Sequence, residues 1–65
     1  SDYNLTKREL QVLALIKEGL NNTDIAKKLH LSVNTVKAHV SSIMQKLEVD
    51  DRTQAAIKAI SNNII

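Results

Sequence analysis

An all-α fold, a compact four-helix bundle that contains a helix-turn-helix, is what this 65-residue sequence predicts. No segment alternates apolar and polar residues over the length of a strand, proline is absent, and Gly19 is the only glycine. Apolar residues instead recur at helical spacing, and each apolar stretch follows a residue typical of a helix N-cap. A chain of this size makes one domain, near the lower limit for folding without metal or disulfides.

The first predicted helix has clear signals at both ends. Thr6 is a favourable N-cap, and Glu9 three residues later completes a capping box. Leu5 and Leu10 occupy the positions of a hydrophobic staple around that cap. Gly19 supplies a left-handed stop at the C-terminal end.

The remaining three helices follow at short spacing. The second has Asn21 as its N-cap. The third begins at Ser32 and covers about residues 33–47, and the fourth begins near Asp51 and covers about residues 52–61. The tight connection between the second and third helices predicts a helix-turn-helix.

The third helix sorts into two faces at about 100° per residue. Its predicted core stripe is Val36, Val40, Ile43, Met44 and Leu47. The opposite face is short-chained and polar, with Lys37 and Ser42 on its flanks, and consists of Asn34, Ala38, Ser41 and Gln45. Small residues let a helix backbone approach the floor of the DNA major groove, where Lys reads guanine and Asn reads adenine.

The charge pattern also favours a polyanion, most simply duplex DNA, as the partner. The whole chain carries a net charge of only +2, but between Asp24 and Glu48 it has no acidic residue. That span holds His30, His39, Lys27, Lys28, Lys37 and Lys46. An ordinary solvated helix face would carry Glu–Lys pairs, so the missing carboxylates favour DNA binding over a bland surface.

Composition weighs against several other functions. No cysteine is present, and His30 and His39 have no third His or Cys to complete a metal site. With Tyr3 as the only aromatic, the small aliphatic core leaves little room for a catalytic pocket, so we expect neither enzyme activity nor a cofactor. No membrane-spanning run or signal peptide is evident, which is compatible with a cytoplasmic location.

Four blocks of the sequence, from Leu5 to about Ile60, resemble the LuxR-type helix-turn-helix domain, also called the NarL/FixJ or GerE type. The blocks are LTKRELQVL, EGLNNTDIAKKL, LSVNTVKAHVSSIMQKL and DRTQAA. The resemblance implies a DNA-binding domain (residues 5–65) after a linker remnant (residues 1–4), at the C-terminus of a bacterial response regulator or related transcription regulator. It further implies an N-terminal receiver or ligand-binding domain, and a homodimer on DNA.

Positions carried over from the resemblance define the expected site. The third helix would lie in the major groove with base contacts from Asn34, Lys37, Ala38 and Ser41. Phosphate contacts are expected from Asn22, Thr23, Thr35 and, far along the third helix, Lys46. Arg52 would bridge to an acidic residue such as Glu9 or contact the DNA backbone, and we favour the structural role.

The fourth helix is expected to hold two copies together. Ala56, Ile57 and Ile60 have the spacing of an inward stripe. The other side, suited to a small symmetric interface, presents Ala55, Lys58, Ala59 and Asn62. Alanine also favours helix without any interface. The alternative function is a protein-interaction module that uses this helix and the C-terminal isoleucines, Ile64 and Ile65.

Overall fold

A computed structural model describes residues 3–65 and gives four α-helices. They are α1 (Lys7–Lys17), α2 (Asn22–Leu29), α3 (Val33–Leu47) and α4 (Arg52–Ser61). The described part of the chain contains no β-strand, so the predicted all-α class is confirmed. Of the predicted linker remnant, residues 1–2 lie outside the described residues.

All four predicted N-caps are confirmed. The Thr6 hydroxyl accepts the Glu9 N–H at 3.0 Å, and the Glu9 carboxylate accepts the Thr6 N–H at 2.9 Å, which completes the capping box. At the other three helices the capping oxygen of Asn21, Ser32 or Asp51 accepts the N–H three residues later. Each cap satisfies an N–H group that the helix itself leaves unpaired.

The third helix is the centre of the bundle, because α3 packs against each of the other three helices. Val36, Ile43 and Leu47 are completely buried, and Val40 is nearly so. Met44 is half-buried at the edge of this stripe and packs against the core. The predicted core stripe is therefore confirmed, and its burial fixes the opposite side of α3 towards solvent.

The predicted orientation of the fourth helix is wrong. Ala55 and Ala59 are completely buried, whereas Ile57 and Ile60 each keep 57% of their surface exposed. α4 packs against both α1 and α3, and small side chains on the contacting side let the helices approach closely. Alanine suits this contact because its small side chain lets two helices pack closely. The sequence prediction placed the isoleucines inside because it considered hydrophobicity alone.

Every helix is followed by a residue in the left-handed conformation. Besides Gly19 (φ 93°), these are His30 (φ 58°), Glu48 (φ 58°) and Asn63 (φ 55°). In each case the next residue donates its N–H to a carbonyl five residues earlier, the bond that closes a Schellman motif. Glycine and asparagine are typical of this position, whereas the side chains of His30 and Glu48 gave no such signal in the sequence.

Replacing Glu48 with glycine is expected to stabilise the domain by about 1 kcal/mol. The change removes the steric cost of a left-handed residue and takes a negative charge from the C-terminal end of α3, where the helix dipole disfavours it. Urea unfolding followed by circular dichroism measures the difference. Glu18→Gly is the matched control, because Glu18 is exposed with a right-handed φ of −74°. That control is expected to destabilise the domain by about 0.5–1 kcal/mol, and equal effects at both sites would contradict the prediction.

Candidate nucleic-acid interface

The exposed side of α3 brings together the four residues predicted to contact bases. Asn34, Lys37, Ala38 and Ser41 are all exposed, and each lies three or four residues from two of the others, which places them on one side of the helix. Gln45 continues the same side and is also exposed. Because α3 has no acidic residue, this face presents hydrogen-bonding groups and one ammonium without a competing carboxylate.

Thr35, a predicted phosphate contact, is held at the beginning of α3 by the helix cap. Its N–H donates to the Ser32 hydroxyl at 3.1 Å, and that hydroxyl donates in turn to Thr35 Oγ1 at 2.9 Å. Since Oγ1 accepts from Ser32, the Thr35 hydroxyl hydrogen is available to another acceptor. Thr35 is exposed, so the acceptor can come from outside the protein.

The beginning of α2 carries the other two predicted phosphate contacts, Asn22 and Thr23. Thr23 is exposed, and Asn22 is half-buried. The Arg52 guanidinium donates to Asn22 Oδ1 and to the Leu20 carbonyl oxygen, at 2.5 and 3.0 Å. Arg52 therefore has the structural role that the sequence favoured, but its partners are these groups and not Glu9.

Lys46, another predicted phosphate contact, has two oxygen partners within the domain. Its ammonium lies 2.7 Å from Glu9 Oε1 and donates to the Asn4 carbonyl oxygen at 2.9 Å. The other carboxylate oxygen of Glu9 accepts the Ser42 hydroxyl. Lys46 turns towards α1 because Glu9, only 4% exposed, is a nearly buried charge that needs a counter-charge.

These contacts determine the protonation state of Glu9. Burial disfavours the charged form and raises the pKa of the carboxyl. The hydrogen bonds from Lys46, Ser42 and the Thr6 N–H, with the charge of the lysine, outweigh burial and lower the pKa from 4.5 to about 2. Glu9 is therefore ionised at neutral pH and joins α1 to the C-terminal half of α3.

Lys58, predicted at the dimer interface, also has an intramolecular role. Its ammonium donates to the Leu47 carbonyl oxygen at 2.7 Å, at the C-terminal end of α3. The same ammonium lies 5.4 Å from the centroid of the Tyr3 ring, within cation–π distance. A cation at this end of a helix is favoured by the helix dipole. Of the predicted interface residues, only Asn62 is exposed.

The sequence contains one weak signal for the contacts that α3 makes with α1. Ser42 and Lys46 are four residues apart and adjoin the core stripe, a position where polar side chains face a neighbouring helix. The sequence indicated Glu9 as a capping residue and as one candidate partner of Arg52, but not as the partner of Ser42 and Lys46. A polar pair beside a core stripe is thus the signal that would have indicated a buried partner charge.

Two further observations limit the chemistry of the described residues. Residues 3–65 contain no cluster of three His, Cys, Asp or Glu side chains able to hold a metal ion. In the same part of the chain no helix is long and apolar enough to cross a membrane.

The four helices, with a tight turn between α2 and α3, define a helix-turn-helix domain. The chain belongs to the luxR family of bacterial regulatory proteins. The family model described as "Bacterial regulatory proteins, luxR family" matches residues 3–59. The response regulator protein VraR of Staphylococcus aureus is 52% identical over 61 residues, which are 94% of this chain and 29% of that protein. VraR of Staphylococcus saprophyticus gives the same values. The chain thus spans less than a third of the length of these curated relatives.

Solved structures agree with the family assignment. The crystal structure of ChrA, a response regulator in a heme-sensing two-component system, superposes with a TM-score of 0.90 at 41% identity, over 94% of this chain and 30% of that one. The structure of the transcription factor GerE superposes with a TM-score of 0.83 at 34% identity, over 91% of this chain and 88% of that one. The second match covers nearly the whole of GerE, so the four helices are the common fold of both chains.

Proposed function

We propose that this domain binds duplex DNA sequence-specifically in transcription regulation, with α3 in the major groove. The observation that carries the proposal is the exposed face of α3, which has no acidic residue. Its side chains that could contact one DNA groove are those of Asn34, Lys37, Ala38 and Ser41. Lys37 would donate to guanine acceptors and Asn34 would read adenine. Ala38 and Ser41 are small enough to let the helix approach the groove floor, and they would add a methyl contact and a hydroxyl contact.

Phosphate contacts would hold α3 in register without reading sequence. The candidates are Asn22 and Thr23 at the beginning of α2 and Thr35 at the beginning of α3. Helix N-termini favour anions because their first N–H groups are unpaired and the helix dipole is positive there. Lys46 is left out of this set because its ammonium is paired with Glu9.

The experiment that tests the proposal is a titration of the 65-residue chain with a duplex that it has selected from a randomised pool. Backbone amide shifts are followed by NMR, and the largest are expected at the beginning of α2 and along the exposed face of α3. Affinity is also expected to fall with rising salt, because bound lysines release counterions from DNA. Failure to enrich any duplex, or a silent α3, would exclude this function.

Two copies are proposed to pair on DNA through α4, on the side opposite to the buried alanines. Ile57 and Ile60 are the large apolar side chains that α4 leaves exposed, and Asn62 follows them on the surface. A twofold symmetric dimer would bury the same side of α4 from each copy. This interface replaces the one that the sequence predicted around Ala55 and Ala59.

Replacing both Ile57 and Ile60 with serine is expected to abolish cooperative binding to a duplex with two half-sites. Affinity for a single half-site should not change, because neither residue lies on α3. Both side chains are largely exposed, so the free energy of unfolding should change by only about 0.5 kcal/mol per substitution. Gel-shift titrations on one- and two-site duplexes measure the effect. Gln11→Ser, at an exposed position of α1, is the control, and retained cooperativity in the double variant would exclude α4 as the interface.

A second candidate function is supported by the same exposed isoleucines. A protein-interaction module would use α4 and the C-terminal Ile64 and Ile65 to bind a different protein, and both terminal residues pack only partly against the core. In the NMR titration, shifts confined to α4 would favour this function over DNA binding.

The family also supports a proposal about the full-length protein and its location in the cell. The response regulators VraR and ChrA are more than three times as long as the matched region, and we expect an N-terminal regulatory domain to accompany this chain. A response regulator that acts on DNA would work in the cytoplasm.

A further inference from the structure

We propose that Arg52 is a positioning residue for DNA binding, which turns the side-chain amide of Asn22 so that its NH₂ group can donate to a DNA phosphate. The inference rests on the proposed function and assigns a task to a residue outside the recognition helix. It depends on a contact between α4 and the beginning of α2.

The guanidinium of Arg52 joins three parts of the chain. Arg52 is the first residue of α4, and Asn22 is the first residue of α2. Nη1 of the guanidinium donates to Asn22 Oδ1, and Nη2 donates to the carbonyl oxygen of Leu20 in the turn between α1 and α2. With two anchors, the planar group is fixed in orientation and cannot follow the amide if it rotates.

The chemistry of arginine determines which end of the amide faces it. A guanidinium has five N–H donors and no acceptor, so the atom of Asn22 beside it must be the oxygen. The planar amide then directs its NH₂ group away from Arg52. Among residues 3–65 the hydrogen bonds of the Asn22 side chain use only this oxygen, and no buried side-chain nitrogen or oxygen there lacks a partner. The NH₂ group therefore reaches solvent.

The outward NH₂ group lies at the N-terminal end of α2, where N–H donors can bind an anion. The N–H groups of Asn22 and Thr23 belong to the first turn of α2 and have no partner within the helix, while Asn21 caps the N–H of Asp24. Two further donors from the Asn22 amide would extend this set towards a phosphate. Accepting a hydrogen bond from a cation also polarises the amide and strengthens its N–H donors.

Without Arg52, the amide would lose this orientation. A rotation by half a turn would present the oxygen, which repels a phosphate, and the NH₂ donors would be lost for that fraction of the time. Arg52 thus acts on DNA through Asn22, and it links the proposed dimer helix to a phosphate contact of the helix-turn-helix.

A double-mutant cycle on the 65-residue chain tests the inference. The variants Asn22→Ala, Arg52→Met and the double variant are titrated with a duplex that the unaltered chain has selected from a randomised pool. Each single variant is expected to weaken binding about two- to tenfold. The double variant should be no weaker than the worse single variant, because both remove one contact. The NMR signal of the Asn22 NH₂ group should shift on DNA binding in the unaltered chain and fail to do so in Arg52→Met.

Losses that multiply in the double variant, or an Asn22 NH₂ signal that responds to DNA equally without Arg52, would overturn the inference while leaving the proposed function intact. An unaltered chain that selects no duplex would overturn both. Asn22→Asp keeps the inference testable if Arg52→Met does not fold. Its carboxylate still accepts from Arg52, so the thermal midpoint should not fall, but it cannot donate to a phosphate, and DNA binding should fall further than in Asn22→Ala. Full DNA affinity in Asn22→Asp would also overturn the inference.

Discussion

Replacing Lys37 with alanine is expected to weaken binding to the selected duplex by about 1–3 kcal/mol, roughly fivefold to 150-fold in affinity. Lys37 is the only lysine on the exposed face of α3 between its cap and its last turn. Its ammonium is the one charged donor there able to reach guanine acceptors in the groove. The loss should be accompanied by relaxed base preference when the variant is selected again on the randomised pool.

The control for this substitution is Lys7→Ala, which removes the same charge from an exposed position in the first turn of α1. Both lysines are exposed, so both variants should unfold within about 0.5 kcal/mol of the unaltered chain. A general electrostatic effect would weaken binding equally in the two variants. Equal losses, or full affinity and selectivity in Lys37→Ala, would show that α3 does not read bases through this residue.

Local signals in the sequence were sufficient to predict the helices and the exposed face of α3. Four side-chain caps begin the four helices at the predicted residues, because capping depends on groups only three residues apart. The exposure of Asn34, Lys37 and Ser41 follows from the period of one long helix whose opposite side is apolar. Neither inference needs knowledge of how the helices pack.

The orientation of α4 depends on how the helices pack, and the apolar periodicity of its sequence predicted the wrong buried side. A short helix with both alanines and isoleucines offers two apolar sides, and size alone favours burial of isoleucine. Small side chains allow a short distance between packed helices, and α4 buries Ala55 and Ala59 completely and Ala56 partly against the core. That distance is a property of three helices together and is absent from the pattern of one.

The polar contacts between residues far apart in the chain also could not be predicted from local sequence patterns. Lys46 and Glu9 are 37 residues apart in the chain, and Arg52 reaches a residue 30 positions away. Both cations had several possible partners of suitable charge or polarity. Two residues expected near DNA also have partners within the domain: Lys46 contacts Glu9 and Asn4, and Asn22 accepts from Arg52.

Replacing Glu9 with glutamine is expected to destabilise the domain by up to about 3 kcal/mol at pH 7, and the loss should vanish in acid. The pKa of Glu9 is lowered from 4.5 to about 2 in the folded chain, which corresponds to about 3 kcal/mol at 1.4 kcal/mol per tenfold change in equilibrium constant. Since the folded pKa lies below the unfolded one, this stabilisation is present above pH 4.5 and is lost as the pH falls towards 2. Glutamine keeps the size and the capping acceptor but cannot ionise.

Urea unfolding of both chains between pH 7 and pH 2.5 measures this difference, and the two stability curves should converge across the window from pH 4.5 to 2. Glu18→Gln is the matched control, since Glu18 is exposed at the end of the same helix and its replacement should change stability by less than about 0.5 kcal/mol. A gap between the Glu9 variant and the unaltered chain that stays constant down to pH 2.5 would mean that packing around residue 9, not its charge, holds α1 to α3. Convergence would instead identify the ionised carboxylate, with Lys46 and Ser42, as the contact that holds α3 against α1.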